Sequence, residues 1–431
     1  MSSTRLSLRA AIFINLNIIL GSGIFINSVL LSDYLGPWGA LTYIGVGLLL
    51  YPLIRALAYL VTIYKGGSFY DYAAVLHPGV GFLSQWSYFI GKMAASSFGI
   101  HLFCSLIKTI FVPLASVSTL ILDTGVILFF MALNMLNVRV NKSIQIFFFV
   151  LKVIPIILVV GAGLIFFSLD NLINTQLAWE NVFITIPFAL YAFTGFEATC
   201  SLIHTLEDPE RDGPRAIIYS YCASVLLAVV FQTFIYMIVG QQLRSAGNFF
   251  QAFPLFFDTL FVGHPALKVY ATLVIHTAIA CSSLGAAYGI IFSNAWNLFT
   301  LAEKKLIFGV DFFTRLSGYQ VPVACILTEG VIALVYIWYT QGNQIMLQQI
   351  NTLALTTTFT LSVFGLIGYQ LKRYGRPSRS ALAACLSCLL LLIFLIKNFI
   401  HYRALPALPF LLLVALGIVS FLANFKEHQR A

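Results

Sequence analysis

Two short polar interruptions of long apolar runs are the places in this sequence where chemistry is expected. The first is residues 21–25, GSGIF, in the first apolar run, and the second is residues 194–197, TGFE, in the sixth. A helix in hydrocarbon must satisfy its own backbone groups, so a break at membrane depth is tolerated only where it lines a cavity inside the protein. The positive end of the half-helix after a break suits a carboxylate, and unpaired carbonyls before it suit an ammonium group. The breaks therefore predict a binding site for a zwitterion.

The residues expected to bind the substrate at these breaks come from both runs. They are Gly21, Ser22, Gly23 and Ile24 in the first run, and Thr194 and Gly195 in the second. A tight helix contact is the alternative for the first break, because small residues let two helices approach closely. The second break favours a binding site, since paired broken helices are typical of secondary transporters that hold their substrate near the bilayer midplane.

The composition indicates an all-α integral membrane protein. The chain is 60% hydrophobic and 9% charged, whereas a soluble domain has about 25% charged residues. Its apolar runs predict twelve membrane-spanning helices. Lys and Arg concentrate in the loops on the side of the two chain ends, which predicts cytoplasmic termini and a location in the plasma membrane. The net charge of +9 follows from this orientation and implies no nucleic-acid partner.

The order of the apolar runs predicts an internal repeat. Spans one to five and six to ten form two five-helix units of opposite orientation, each with a discontinuous first helix, over residues 1–176 and 177–375. Spans eleven and twelve occupy residues 376–431. The polar, aromatic segment 65–79 predicts an interfacial or re-entrant piece, which segment 303–320 mirrors, and segment 241–265 predicts an external loop with short helical pieces.

No metal site or cofactor is expected. The seven cysteines lie nearly all within the apolar runs, and the seven histidines form no ligand pair at helical spacing.

Three motifs resemble one family of transporters. These are GSGIF at residues 21–25, FTGFE at residues 193–197, and EDP at residues 207–209 followed by GPRAI at residues 213–217. On these motifs the chain resembles the amino acid-polyamine-organocation superfamily over essentially its whole length. The resemblance implies the LeuT-type fold, with discontinuous helices 1 and 6. It also implies a substrate with an amino group and usually a carboxylate, moved by alternating access.

Lys152 lies inside the fifth span, where an unpaired ammonium is unfavourable and indicates a functional role. The resemblance implies that this ammonium fills the place of a sodium ion between the first, fifth and eighth spans. Transport would then be independent of sodium, and the lysine could take up and release a proton. Snorkelling of the side chain to an interface is the alternative. Ser282 and Ser283 could offer their hydroxyl groups to Lys152, although such serines more often bond to their own helix.

Glu197, in the second break, is expected to carry a proton or to pair with a basic group. Its expected partner is Lys92 in the third span, where related antiporters tend to have a neutral polar residue. Lys92 would either neutralise Glu197 and leave a neutral pocket, which we favour, or meet an acidic or polar substrate side chain. Both alternatives disfavour cationic substrates.

The resemblance places two tyrosines at the pocket. Tyr191 stands at the position of the family's aromatic gate, and Tyr288 at that of a second pocket aromatic, for which core packing is an equal alternative. Glu329 and Arg55 lie at or near membrane depth but belong to no motif.

The sequence as a whole predicts a sodium-independent amino acid transporter for neutral or polar substrates. Proton symport and amino acid exchange both remain open, and the alternative is an antiporter for acidic or cationic amino acids or polyamines. A membrane enzyme would need a nucleophile and a base or a metal-binding motif, and a channel would need a continuous polar stripe. Neither pattern occurs in the sequence.

Overall fold

The computed structural model describes residues 6–21, 23–64, 67–136, 138–172, 179–246, 249–401 and 408–430. Its regular structure is helical there, apart from one isolated bridge between Leu6 and Leu206. The helices are α1 (Leu8–Ile19), α2 (Gly23–Leu35), α3 (Gly39–Ile63), α4 (Phe69–Ala74), α5 (Pro78–Ile110), α6 (Thr119–Asn134), α7 (Val138–Phe166), α8 (Trp179–Phe193), α9 (Ala198–Leu202), α10 (Pro209–Val239), α11 (Phe249–Leu260), α12 (Pro265–Glu303), α13 (Val310–Phe313), α14 (Val323–Thr340), α15 (Gln344–Tyr374), α16 (Arg379–His401) and α17 (Leu408–Arg430).

Length and composition make this a multi-pass membrane protein. Within the described residues, nine helical segments are long and apolar enough to cross a membrane, and three shorter apolar helices accompany them. The three are Leu8–Ile19, Thr119–Asn134 and Leu408–Asn424. The all-helical membrane class is therefore confirmed, while the count of twelve spans and the internal repeat stay predictions.

Both predicted interruptions are present as helix breaks. The first helical run stops at α1 and resumes at α2, and residue 22 between them lies outside the described residues. The sixth run stops at the end of α8, makes a turn over residues 194–197 and resumes as α9. The helix α9 is only five residues long and continues as a 3-10 turn, Ile203–Thr205.

Two long helices, α5 and α12, form the interior on which these broken helices pack. In the most apolar stretch of each of these two helices, 78% of the residues are buried. In the corresponding stretches of α7 and α16, only 33% of the residues are buried. The interior helices carry many small and polar residues that let neighbours approach, whereas the outer helices expose large apolar side chains. Helices α7 and α16 therefore form part of the outer layer.

Several helix ends meet at one face, called here the basic face because Lys304 and Lys372 lie on it. Ser68 and Asp71 form a capping box that starts α4. The Asp71 carboxylate lies 2.8 Å from Lys304 Nζ, and Lys372 Nζ donates to the Val75 carbonyl at 3.0 Å. Burial, together with the charge of Asp71, raises the pKa of the Tyr70 hydroxyl. The α4 segment is thus held to the ends of α12 and α15.

The two other predicted loop segments also contain helical pieces. A 3-10 helix, Gly240–Ala246, and then α11 occupy segment 241–265, with residues 247–248 outside the described part. Segment 303–320 contains the four-residue α13. Segment 65–79 contains α4, and its residues 65–66 are likewise not described.

The contact between α4 and α15 predicts the effect of a single added methyl group. A Cβ at Gly365 would overlap the Tyr72 carbonyl oxygen and lie 3.0 Å from the Ala73 Cα, so Gly365→Ala should displace α4. Overpacking of this kind costs about 1–3 kcal/mol. Gly45→Ala, where nothing lies within 4 Å of the added atom, should be neutral or stabilising by up to about 1 kcal/mol. Thermal unfolding of both variants in detergent measures the difference, and equal melting temperatures would contradict the packing described here.

Candidate functional site

The two helix breaks touch each other through a glycine. Gly195 has a φ of +136°, a conformation that residues with a Cβ rarely adopt. A Cβ on Gly195 would come within 2.8 Å of both the Ile19 amide nitrogen and the Ile18 Cγ2 atom at the end of α1. Both the backbone conformation and the close approach therefore require glycine, which explains the glycine that the sequence places in the second break.

Asn15 on α1 holds the second break in place. Its amide nitrogen donates to the Phe196 carbonyl at 2.9 Å and to the Ser220 hydroxyl at 3.1 Å, and its oxygen accepts from the Thr199 hydroxyl at 3.0 Å. One side chain thus ties α1 to the turn, to α9 and to α10. The sequence analysis missed Asn15, although an amide in an apolar run was a usable signal.

A cavity of about 20 Å³ lies where α1, α2, α5, α8 and α12 meet. It is lined by Ile18, Ile19, Gly21, Gly23, Ala95, Gly99, Tyr191, Thr194, Ser283, Ala286 and Ile290. The volume corresponds to about one water molecule. Five predicted residues therefore meet here, namely Gly21, Gly23, Tyr191, Thr194 and Ser283.

The other predicted residues of the breaks lie beside the cavity or outside the described part of the chain. Ile24 is buried but is not among the lining residues, and Gly195 faces α1 instead. Ser22 is outside the described residues.

Tyr191 covers the start of α2. A Cβ on Gly23 would lie 3.3 Å from the Tyr191 Cδ1 atom, and the Tyr191 ring packs edge-on against Phe98 with centroids 6.0 Å apart. The Thr194 hydroxyl donates to the Tyr191 carbonyl at 2.9 Å. The Thr194 side chain, directly after α8, thereby satisfies a carbonyl of the last turn of that helix. The Tyr191 ring lies over the start of α2.

Lys92 and Glu197 form a buried ion pair. Lys92 Nζ lies 2.6 Å from Glu197 Oε1, with the two side chains 1% and 0% exposed. The other oxygen of Glu197 accepts from the Gly195 amide at 2.7 Å, and the Tyr88 hydroxyl lies 3.5 Å from Oε1. The predicted pairing is confirmed.

The pair lies next to the cavity without lining it. Glu197 satisfies a backbone amide of the break, and Lys92 offsets the charge that Glu197 brings into the interior. This geometry matches the alternative in which Lys92 neutralises Glu197.

Lys152 lies between α1, α7 and α12. Its ammonium donates to the Asn17 carbonyl and, at 3.4 Å, to the Ser282 carbonyl, and its side chain is fully buried. Asn17 in turn donates to Gln145 Oε1 and to the Gly285 carbonyl, both at 2.9 Å. A snorkelling position is therefore not observed for Lys152, which lies between the first, fifth and eighth helical runs, while its role in place of a sodium ion stays a prediction.

Of the two alternatives for the serine hydroxyls, contact with Lys152 is not the one observed. The Ser282 hydroxyl donates to the Leu20 carbonyl at 2.8 Å, and the Ser283 hydroxyl donates to Ile279 in its own helix at 3.2 Å. The carbonyls at the end of α1 have lost their helical partners, so they compete for a nearby hydroxyl. Ser282 consequently meets Lys152 through its carbonyl oxygen.

Tyr288 is not brought to the cavity. Its hydroxyl donates to Asn141 on α7, and its ring packs against Phe130 with centroids 5.2 Å apart. Two residues correspond to about 200° around a helix, so Tyr288 faces away from the side of α12 on which Ala286 lines the cavity. Of the two alternatives for Tyr288, core packing is the one observed.

Comparison with known proteins identifies the family. A family model described as amino acid permease matches residues 6–423. The chain belongs to the amino acid permease family. The permease is 24% identical over 346 residues to a D-serine/D-alanine/glycine transporter of Escherichia coli strain K12, covering 74% of this chain and 70% of the relative. It is 26% identical over 335 residues to amino-acid permease RocC of Bacillus subtilis strain 168, covering 73% of this chain and 68% of the relative.

The ion pair of the permease predicts a strong non-additivity between two substitutions. Lys92→Met or Glu197→Gln alone leaves an uncompensated buried charge or an unpaired partner, which costs about 3–5 kcal/mol, whereas removing both should cost much less. Unfolding of the purified single and double variants measures the coupling.

The control pair is Lys268 with Asp258, which is 31% and 52% exposed. Lys268→Met and Asp258→Asn should each cost about 0–1 kcal/mol, with little coupling. Additive losses at Lys92 and Glu197 would show that the two charges do not stabilise each other.

Proposed function

We propose that the permease is a sodium-independent secondary transporter of small neutral or polar amino acids. It works by alternating access across the plasma membrane, as a proton symporter or an amino acid exchanger. The observation that carries this proposal is that the breaks of two discontinuous helices meet at one cavity, with Gly23 at the start of α2 and Thr194 at the end of α8 on its wall.

The backbone at these breaks suits both ends of an amino acid. The amide groups at the start of α2, beside Gly23, are donors for a carboxylate at the positive end of a helix. The carbonyls at the ends of α1 and α8 are acceptors for an ammonium group. The Tyr191 ring, which lies over the start of α2, would shield the bound zwitterion from water and contact its ammonium group.

The size and charge of the cavity favour a small uncharged side chain. Ala95, Gly99 and Ala286 line the cavity with small side chains, so the helices that carry them lie close together around it. The cavity of about 20 Å³ must widen even for a small amino acid. The Lys92 and Glu197 charges offset each other beside it, so neither a cationic nor an anionic side chain finds an unpaired partner there. The name of the Escherichia coli relative, a transporter of D-serine, D-alanine and glycine, agrees with this size class.

Sodium independence is supported by the position of Lys152. Its ammonium takes two backbone carbonyls, one from α1 and one from α12. A hard cation such as sodium prefers oxygen ligands of this kind. Because the Lys152 ammonium already donates to these carbonyl oxygens, they are not free to bind a sodium ion.

The wider architecture belongs to the same proposal. Twelve spans would be arranged as a five-helix unit in residues 1–176, an inverted unit in residues 177–375 and two further helices in residues 376–431. The basic face would be cytoplasmic, together with both chain ends, because positively charged loops are retained on that side.

The substrate class predicts the outcome of uptake into proteoliposomes. Glycine, and alanine and serine in both enantiomers, should be taken up or exchanged, whereas arginine, glutamate and leucine should compete weakly. Ala95→Leu fills the cavity and should lower uptake about tenfold or more, a loss of about 1.4 kcal/mol in substrate binding. Ala383→Leu makes the same change at an exposed position of α16 and should leave uptake unchanged. Preference for arginine, polyamines or glutamate would support the antiporter alternative instead.

The position of Lys152 predicts that transport continues without sodium. Uptake would be compared in sodium and choline buffers at one pH, and the two rates should agree. A strict requirement for sodium would contradict the role assigned to Lys152. Lys152→Met should abolish uptake in both buffers, because the Asn17 carbonyl then loses its buried donor.

A further inference from the structure

Glu329 is a buried acid that the proposed substrate site does not use. It is the only charged residue of α14, its side chain is 0% exposed, and among the described residues neither carboxyl oxygen accepts a hydrogen bond of good geometry, although the Asn294 amide faces the carboxyl. The next residue on the same helix, Gly330, packs against Met131 of α6, and one turn later the Ala333 carbonyl accepts from Ser97 of α5. Glu329 therefore lies inside the helix bundle and does not face lipid.

A carboxylate in this position would be strongly unfavourable. A charge buried at membrane depth without a counter-charge or hydrogen bonds is avoided, so the carboxyl is expected to hold a proton in this arrangement. A sodium ion is disfavoured, because hard cations take about six oxygen ligands. The polar side chain that faces the carboxyl is the Asn294 amide, which meets it as a hydrogen-bond donor and whose own oxygen accepts from Asn297. The chemistry of the pocket around Glu329 is that of a proton site.

Polar side chains connect this site with the second helix break. The Asn294 oxygen accepts from the Asn297 amide at 3.0 Å, and Asn297 exchanges hydrogen bonds with the Ser201 hydroxyl at 2.9 and 3.2 Å. Ser201 belongs to α9, the short half-helix directly after the break. The position of α9 is thereby linked through two amides to the surroundings of Glu329.

The same amides lead to the basic face. The Gln85 amide donates to the Asn297 oxygen at 2.8 Å, and the Gln85 oxygen accepts from the Tyr70 backbone amide at 3.0 Å. Tyr70 belongs to α4. Hydrogen-bonded polar side chains therefore extend from the surroundings of Glu329 to the basic face.

We propose that Glu329 is a proton-binding site of the transport cycle and that the position of α9 controls whether it is occupied. The proposal rests on the proposed amino acid transport. When α9 moves and Ser201 leaves Asn297, the Asn297 and Asn294 amides lose part of their fixed orientation, and water can enter beside Glu329. The O–H bond of the acid then breaks, its electron pair stays on the carboxylate, to which the Asn294 amide donates, and the proton passes to that water.

Few ionisable groups act on Glu329. The Cys325 thiol, one turn earlier on α14, is an ionisable group close enough to interact with Glu329. On the helices packed around α14, Lys92 is paired with Glu197, and His101 with Asp123. The other acidic and basic side chains described on α12, α13 and α15 lie in the outer parts of α12, at the end of α15 or in the short α13, namely Lys268, His276, Glu303, Asp311, Lys372 and Arg373.

Two transport assays on the same proteoliposomes test the proposal. One measures accumulation of labelled alanine driven by an inward proton gradient, and the other measures alanine exchange without a gradient. Glu329→Gln should lower accumulation about tenfold or more relative to exchange, because only net accumulation needs a proton to bind and leave. Glu329→Asp retains a carboxyl and should keep part of the coupling. Glu303→Gln, the same change at an exposed site on α12, should behave as the unchanged protein.

A measurement on the unchanged protein covers the case in which the variants fail to fold. Because symport needs alanine and the proton to be bound together, detergent-solubilised protein should bind alanine more tightly as the pH is lowered, with net uptake of protons over the pH range in which the affinity changes. Alanine binding that does not depend on pH, or accumulation in Glu329→Gln that equals that of the unchanged protein, would overturn the assignment. The assignment would also be overturned if the unchanged protein exchanges alanine but a proton gradient never drives its accumulation. The same holds if accumulation is driven by sodium and is lost in Glu329→Gln. Absence of both exchange and accumulation in the unchanged protein would instead refute the proposed amino acid transport.

Discussion

The backbone groups at the two helix breaks must find partners inside the protein, because the bilayer offers none, and most of the interior is arranged around this requirement. At the first break the carbonyls that end α1 are met by the Lys152 ammonium and the Ser282 hydroxyl. At the second break the Gly195 amide is met by Glu197, and the Phe196 carbonyl by Asn15. Lys152, Ser282 and Asn15 come from three different helices, so satisfying the breaks also fixes how these helices pack.

Meeting a backbone group with a charged side chain creates a second requirement. Glu197 brings a negative charge to a place without water, and Lys92 on α5 supplies the opposite charge. Lys152 is handled differently, since it is surrounded by carbonyl dipoles and has no carboxylate partner in the described contacts. Beside the two breaks the interior thus holds one compensated pair and one cation held by dipoles, and the two respond differently when a helix moves.

The sequence predicted the features that depend on the types of neighbouring residues in the chain. It did not predict those that depend on how a helix is rotated or on contacts between distant parts of the chain. Both breaks follow from glycines in apolar runs, and the pairing of Lys92 with Glu197 follows from the rarity of charges at membrane depth. Tyr288 illustrates the limit, because its side of α12 depends on which neighbours pack there, and α6 and α7 take its ring and hydroxyl. Asn15 was missed for a related reason, since its partner Phe196 is 181 residues away along the chain. The Ser282 carbonyl contact required the geometry of the broken α1 end, which composition does not describe.

The shortness of α9 has a consequence for the timing of local opening. Five residues close very few helical hydrogen bonds of their own, so the shape of this segment depends on Asn15, Asn297 and the glycine turn before it. An element held mainly by its neighbours opens at a lower free energy than long helices such as α5 and α12. Its backbone amides should exchange their hydrogens with solvent before those of the surrounding bundle, which makes this half-helix the part of the molecule whose opening would be seen first by isotope labelling.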